Sequence, residues 1–184
     1  MALPSTIYRV NIGLSDIDRG IYETLQTTVA RHPSETEERL AARLLAYAIL
    51  YQPELSFTRG VGAGDEPDLW MKGPDGRLLL WVEVGLPEPE RLIKASRHSA
   101  QAALVACGKA LPAWEQQHLP KLKGISNLSI ILIDHSFITS LASRIDRSIL
   151  WSITITDNSL YVNIGNESFE TVLRNSGAGS ARLS

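Results

Sequence analysis

Sulfur is nearly absent from this chain. One cysteine, Cys107, and two methionines stand among 184 residues, which excludes a disulfide framework or a thiolate zinc site within one chain. Four histidines, His32, His98, His118 and His135, are too scattered to suggest a metal cluster by spacing. No run of about 18 apolar residues occurs, and the opening MALPSTIYRV lacks the charged-then-apolar order of a signal peptide. A cytosolic protein without a membrane segment is expected. A large charge of either sign is missing too: the formal net charge is −2, which argues against holding nucleic acid mainly by bulk electrostatics.

What is present is ordinary globular material, 44% hydrophobic and 21% charged, long enough for one well-buried domain. Neither a repeat nor a linker divides it, so a single domain over residues 1–170 is expected, with a mobile tail over 171–184 ending in the small, polar run RNSGAGSARLS. TIYRVNIGL alternates Tyr8, Val10, Ile12 and Leu14 against Arg9, Asn11 and Gly13, the period of a half-buried strand. SDIDRG turns the chain, and YETLQTTVA pairs back as a hairpin.

HPSETEERLAARLLAYAILYQP is the clearest helix, with Ser34 as N-cap, Glu37 completing a capping box and Pro53 marking the end. Its apolar face collects Ala41, Leu44, Leu45, Ala48 and Ile49. Glu35, Arg39 and Arg43, four apart, are expected to pair on the outer face, whereas Glu38 aims roughly at the core. LSFTRGV follows as a short strand, and DLWMK joins RLLLWVEVG as a hairpin about the GPDG turn at 73–76. PEPERLIKASRHSA reads as a helix opened by proline, AALVACG as a strand, LPAWEQQHLPKLKG as a helix and NLSIILIDHS as a buried strand. FITSLASRI is a further helix, and LWSITITDNSLYVNIG a closing hairpin.

One residue is out of place in this pattern. Glu83 sits in RLLLWVEVGLP, a run apolar enough to be covered on both faces. A carboxylate there needs a cation, a proton or a hydrogen-bond donor. With Lys72 opposite Arg77 across the turn, paired numbers sum to 149, so Asp68 faces Trp81 and lies diagonal to Glu83 on the same face, about 7 to 8 Å away along the backbone. One divalent cation could bridge them, and two hard oxygen donors suit Mg2+ or Mn2+ better than zinc.

The order helix, strand, PD strand, VEVG strand, helix, strand resembles the αβββαβ core of the PD-(D/E)xK nuclease superfamily. Beyond that core, RHPSETEERLAARLLA, FTRG, DEPD and LWVEVGLP followed by RLIKA resemble the YaeQ family of small bacterial proteins, a likeness running from about residue 2 to 165. The resemblance implies an α/β, restriction-endonuclease-like αβββαβ core with a mixed central sheet, extended by N-terminal and C-terminal β-hairpins. It implies a divalent-metal-dependent nuclease in which Asp68 and Glu83 hold Mg2+ or Mn2+ and Glu38 matches an extra helix carboxylate. Where the motif has its lysine this chain has Gly85. Lys94, on the following helix, is the natural substitute for orienting the attacking water, and Gln101 could add a polar contact.

Plainer readings stand beside these. Glu83 could form a structural ion pair with Lys94 or Arg91, Asp68 could be a turn residue, and Lys94 could be solvated. The segment from 87 to 124 carries Arg91, Lys94, Arg97, Lys109, Lys121 and Lys123 against Glu88, Glu90 and Glu115; this is either a solvated helix face or a local basic patch. GVGAG at 60–64 imitates a phosphate loop but leads into Pro67 and a strand, not a helix N-terminus, and reads as a turn. Asp134 and His135 invite a triad, yet no serine sits in a nucleophile-elbow sequence. The expectation is therefore a monomeric, metal-dependent nuclease with nucleic acid, DNA or RNA, as partner. The alternative is an inactive nuclease-fold protein acting as a nucleic-acid- or protein-binding module.

Overall fold

A computed structural model describes residues 3–59 and 64–176. Strands β1 (Thr6–Asp16) and β2 (Ile21–Arg31) form the expected antiparallel hairpin, with Tyr8, Val10, Ile12 and Leu14 buried. They share a five-stranded sheet with β8 (Ser148–Thr156), β9 (Ser159–Ile164) and β10 (Glu167–Val172), in the order β10-β9-β8-β1-β2. The β8–β9 hairpin turns at Asp157 and Asn158, both at positive φ, the conformation that short polar residues tolerate best. β1 and β8 run parallel, so the two ends of the chain meet in one sheet.

A second sheet of six strands is ordered β11-β7-β6-β5-β4-β3. It comprises β3 (Ser56–Phe57), β4 (Leu69–Lys72), β5 (Leu78–Val84), β6 (Gln101–Ala106), β7 (Leu128–Leu132) and β11 (Arg174–Ser176). β5, β6 and β7 are parallel, and the other pairings are antiparallel, so the sheet is mixed as expected. Among the described residues, no helix is long and apolar enough to cross a membrane.

The layering follows from which faces are apolar. Helices α1 (Glu37–Ile49) and α4 (His135–Ala142) fill the space between the sheets, in one core with the inner face of the first sheet and with Leu80, Val82 and Val84 of β5. Helices α2 (Pro89–His98) and α3 (Leu111–Leu122) cover the other face of the second sheet, against Trp81, Ala102 and Leu104. Because α1 has protein on all sides, every residue from Leu40 to Ile49 is buried. Its last carbonyls are closed from a distance: Arg19, held by Asp16 at 2.7 Å, donates to Ile49 O at 2.9 Å and Tyr51 O at 3.0 Å.

Several expectations change here. α1 is capped by Thr36, whose side chain accepts from Arg39 N, and not by Ser34, which instead hydrogen-bonds His32; the capping box does not form. Glu35 and Arg43 are not on an outer face but buried at 4% and 0% exposure, because the first sheet covers that side of the helix. The β4–β5 register shifts between Met71 and Lys72, giving Leu69 opposite Val82. Beyond Leu69 the pattern breaks: the Asp68 amide donates to Val82 O at 2.9 Å, so the expected pairing of Asp68 with Trp81, with Glu83 on the diagonal, does not form. Finally, β10 and β11 carry ordered structure past residue 170, where a mobile tail was expected, with Arg174–Ser176 pairing with β7.

Candidate functional site

The two motif acids come to the same end of β5, and each arrives with an arginine. Asp68, 3% exposed, accepts at Oδ1 from Arg39 Nη2 at 2.6 Å and at Oδ2 from the Val84 amide at 2.8 Å. Glu83, 4% exposed, accepts at Oε1 from Trp81 Nε1 at 2.7 Å and pairs with Arg91 Nε at 2.8 Å. Burial pushes the Glu83 carboxyl above its usual pKa; Arg91 and Trp81 pull it back, and the charge of Asp68 pushes it further up. The charge of Asp68 thus reaches Glu83. Burial works against the Arg39 charge, but Asp68, with Glu35 and Glu83, more than offsets it, and the guanidinium pKa is raised.

Behind Asp68 lies a network that no motif announced. Arg43 donates from Nη1 to both Glu35 oxygens at 3.1 Å and to Ala30 O at 3.2 Å, with its Nε 4.0 Å from Asp68 Oδ1. Arg39 also reaches Glu35, at 3.5 Å. Glu35, Arg39, Arg43 and Asp68 therefore form two acids and two bases with no net charge. The i, i+4 spacing of the three helix residues was visible in the sequence, but it does not say which side of a helix a second sheet will cover.

The remaining predicted site residues disperse. Glu38 is half-buried on the α1–α4 side of the second sheet, whereas Glu83 points with Trp81 to the α2 side. Lys94 Nζ pairs with exposed Asp65 at 3.1 Å. Arg91, three residues earlier, occupies Glu83 and also donates to Gly64 O at 3.1 Å and Glu66 O at 2.8 Å, strapping that loop to β5. Gln101 is exposed at the start of β6, opposite Leu80 and three residues back from the level of Glu83. Gly85 has φ +108°, a backbone an L side chain adopts only with strain, so the strand's exit, with Gly85 N donating to Val105 O, selects glycine where the motif has lysine. Most of the GVGAG stretch, residues 60–63, lies outside the described residues.

Donor chemistry decides whether a cation fits. Among the described residues, no group of three or more His, Cys, Asp or Glu side chains is arranged to hold a metal ion. Both Asp68 oxygens already accept, and an ion joining Asp68 to Glu83 would stand beside the Arg39 and Arg91 guanidinium groups, whose charges oppose it. This arrangement does not fit a resident divalent cation.

A family model described as YaeQ protein matches residues 1–173. The chain is 36% identical over 174 residues to "Uncharacterized protein YaeQ" of Salmonella typhi, and 35% identical over 174 residues to the protein of that name from Escherichia coli K12, in each case over 94% of this chain and 96% of the relative. The crystal structure of YaeQ from Pseudomonas syringae is similar at TM-score 0.89 and 40% identity, over 95% of this chain and 97% of that one. That from Xanthomonas axonopodis pv. citri is similar at TM-score 0.91 and 33% identity, over 95% and 99%.

Proposed function

The chain belongs to the YaeQ family, and on that premise we propose that it is a nucleic-acid-binding module on a nuclease-like core, in which the motif acids orient arginines and do not hold a catalytic metal. The observation that carries this reading is the pairing pattern: Asp68 with Arg39, Glu83 with Arg91, and Lys94 with Asp65. A water-activating lysine would have to lie beside the acids, and here its place is taken by guanidinium groups. The α2–α3 layer beside the site supports a polyanionic partner, since Lys94, Arg97, Lys109, Lys121 and Lys123 are all exposed.

Fluorescence anisotropy with labelled single- and double-stranded DNA and RNA tests it. Binding is expected in EDTA as in Mg2+, weakening as salt rises and by roughly tenfold in the double variant Lys94→Glu/Arg97→Glu. EDTA-sensitive cleavage abolished by Asp68→Asn would overturn it. That outcome would establish a second reading, a Mg2+- or Mn2+-dependent phosphodiesterase with Asp68 and Glu83 as ligands. One observation favours this reading: the charge of Asp68 adds to burial in raising the Glu83 carboxyl pKa, and a cation between them would relieve that. Calorimetric titration with Mn2+ separates the two, since the binding module takes up none.

A further inference from the structure

A cavity of about 440 Å³ opens beside the Asp68–Arg39 pair, on the α1–α4 side of the second sheet, at the carboxyl ends of β5 and β6. Ligands in α/β proteins favour this end of the strands. Its walls are chiefly aliphatic, with Ala42, Val84, Leu86 and Ile138, and Gly85 leaves open space where a Cβ would stand. Arg39 on its rim is spoken for by Asp68 and Glu35. Glu38 is the charged lining residue with neither an ion-pair nor a hydrogen-bond partner among the described residues. His135 also lines the cavity.

We propose that this cavity receives a guanine base, with its N1–H and exocyclic amino group donating side by side to the Glu38 carboxylate. Guanine is the one common nucleobase whose pairing edge presents two adjacent N–H donors. Adenine, cytosine and uracil each set an acceptor beside their donor and would aim a lone pair at the carboxylate. The volume exceeds that of a base alone and leaves room for its sugar, and aliphatic walls suit a flat apolar ring.

This inference rests on the nucleic-acid reading above, and its test separates the two. Titration of the full chain with GMP, AMP, CMP and UMP, followed by calorimetry and by NMR shifts of the Ala42 and Ile138 methyls, is expected to show GMP bound about tenfold or more tighter than the others. Glu38→Gln should abolish that preference while leaving the fold, read by circular dichroism, unchanged. The same comparison with 12-nucleotide strands containing or lacking one guanine distinguishes a free nucleotide from a base within a strand as the source. Strand binding that is indifferent to guanine, or a GMP preference that survives Glu38→Gln, overturns the pocket assignment and leaves the binding module standing. Absence of binding to any strand and any nucleotide overturns both.

Discussion

Removing Glu35 isolates the energetics of the buried network. In Glu35→Ala the Arg43 guanidinium, itself fully buried, loses the carboxylate that receives Nη1 at 3.1 Å. Its Nε and Nη2 already make no hydrogen bond, which leaves the Ala30 carbonyl at 3.2 Å, the face of Phe57, and Asp68 at 4.0 Å, the one remaining carboxylate and already engaged with Arg39. Breaking one side of a buried pair costs about 3–5 kcal/mol. For a chain of this length that corresponds to a fall in Tm of roughly 6 to 20 °C. Replacing both partners, as Glu35→Leu with Arg43→Met, removes the stranded charge and should bring stability back to within about 1 kcal/mol of the wild type. Urea denaturation followed by circular dichroism measures both variants. A single variant within about 1 kcal/mol of wild type, or a double variant less stable than the single, would refute the view that the network's value is charge compensation.

Three further outcomes follow from the site. Gly85→Lys, which restores the motif lysine in sequence, should destabilise by about 1–2 kcal/mol through its positive φ and produce no Mg2+-dependent cleavage; a stable variant that cleaves would reverse the reasoning. The raised pKa of Glu83 means that the native state holds its proton at a pH where the unfolded chain has released it. This group's contribution is therefore complete below the usual carboxylate pKa of 4.5 and is lost as pH rises through the native value, so wild type should lose stability relative to Glu83→Gln over that window; parallel pH profiles would sink this. Cys107, 7% exposed and with its thiol pushed up to about 12 by burial, should resist a thiol reagent in the native protein and react at once in urea, and rapid native labelling would contradict its placement.

Local pattern made much of the fold readable. Period-two alternation marks β1 and β8, the GPDG turn marks the β4–β5 hairpin, and Pro89 opens α2. What escaped was set by tertiary contact. The shift between Met71 and Lys72 follows no residue that signals a bulge, yet it sets Trp70 against Trp81, where counting from the turn predicts Asp68. β10 is a short edge strand that folds back on β9 with Glu167 opposite Ile164, and β11 is a polar edge strand whose partner β7 is distant in sequence. In the site, Glu83 was legible because a carboxylate in an apolar run is conspicuous, and Asp68 was reached by counting the hairpin register back from the GPDG turn. Arg39 was visible as a helix charge, but its bond to Asp68 spans 29 residues and no spacing rule reaches that far.

The parallel pairing of β1 with β8 has a kinetic meaning. Arg9 lies opposite Ser148, so the first sheet cannot close until nearly the whole chain has left the ribosome. Until then β1 must wait with one hydrogen-bonding edge unpaired, while the strands between can already pair among themselves. The long closure makes folding slow and leaves the hairpin as the segment most in need of protection from association during synthesis.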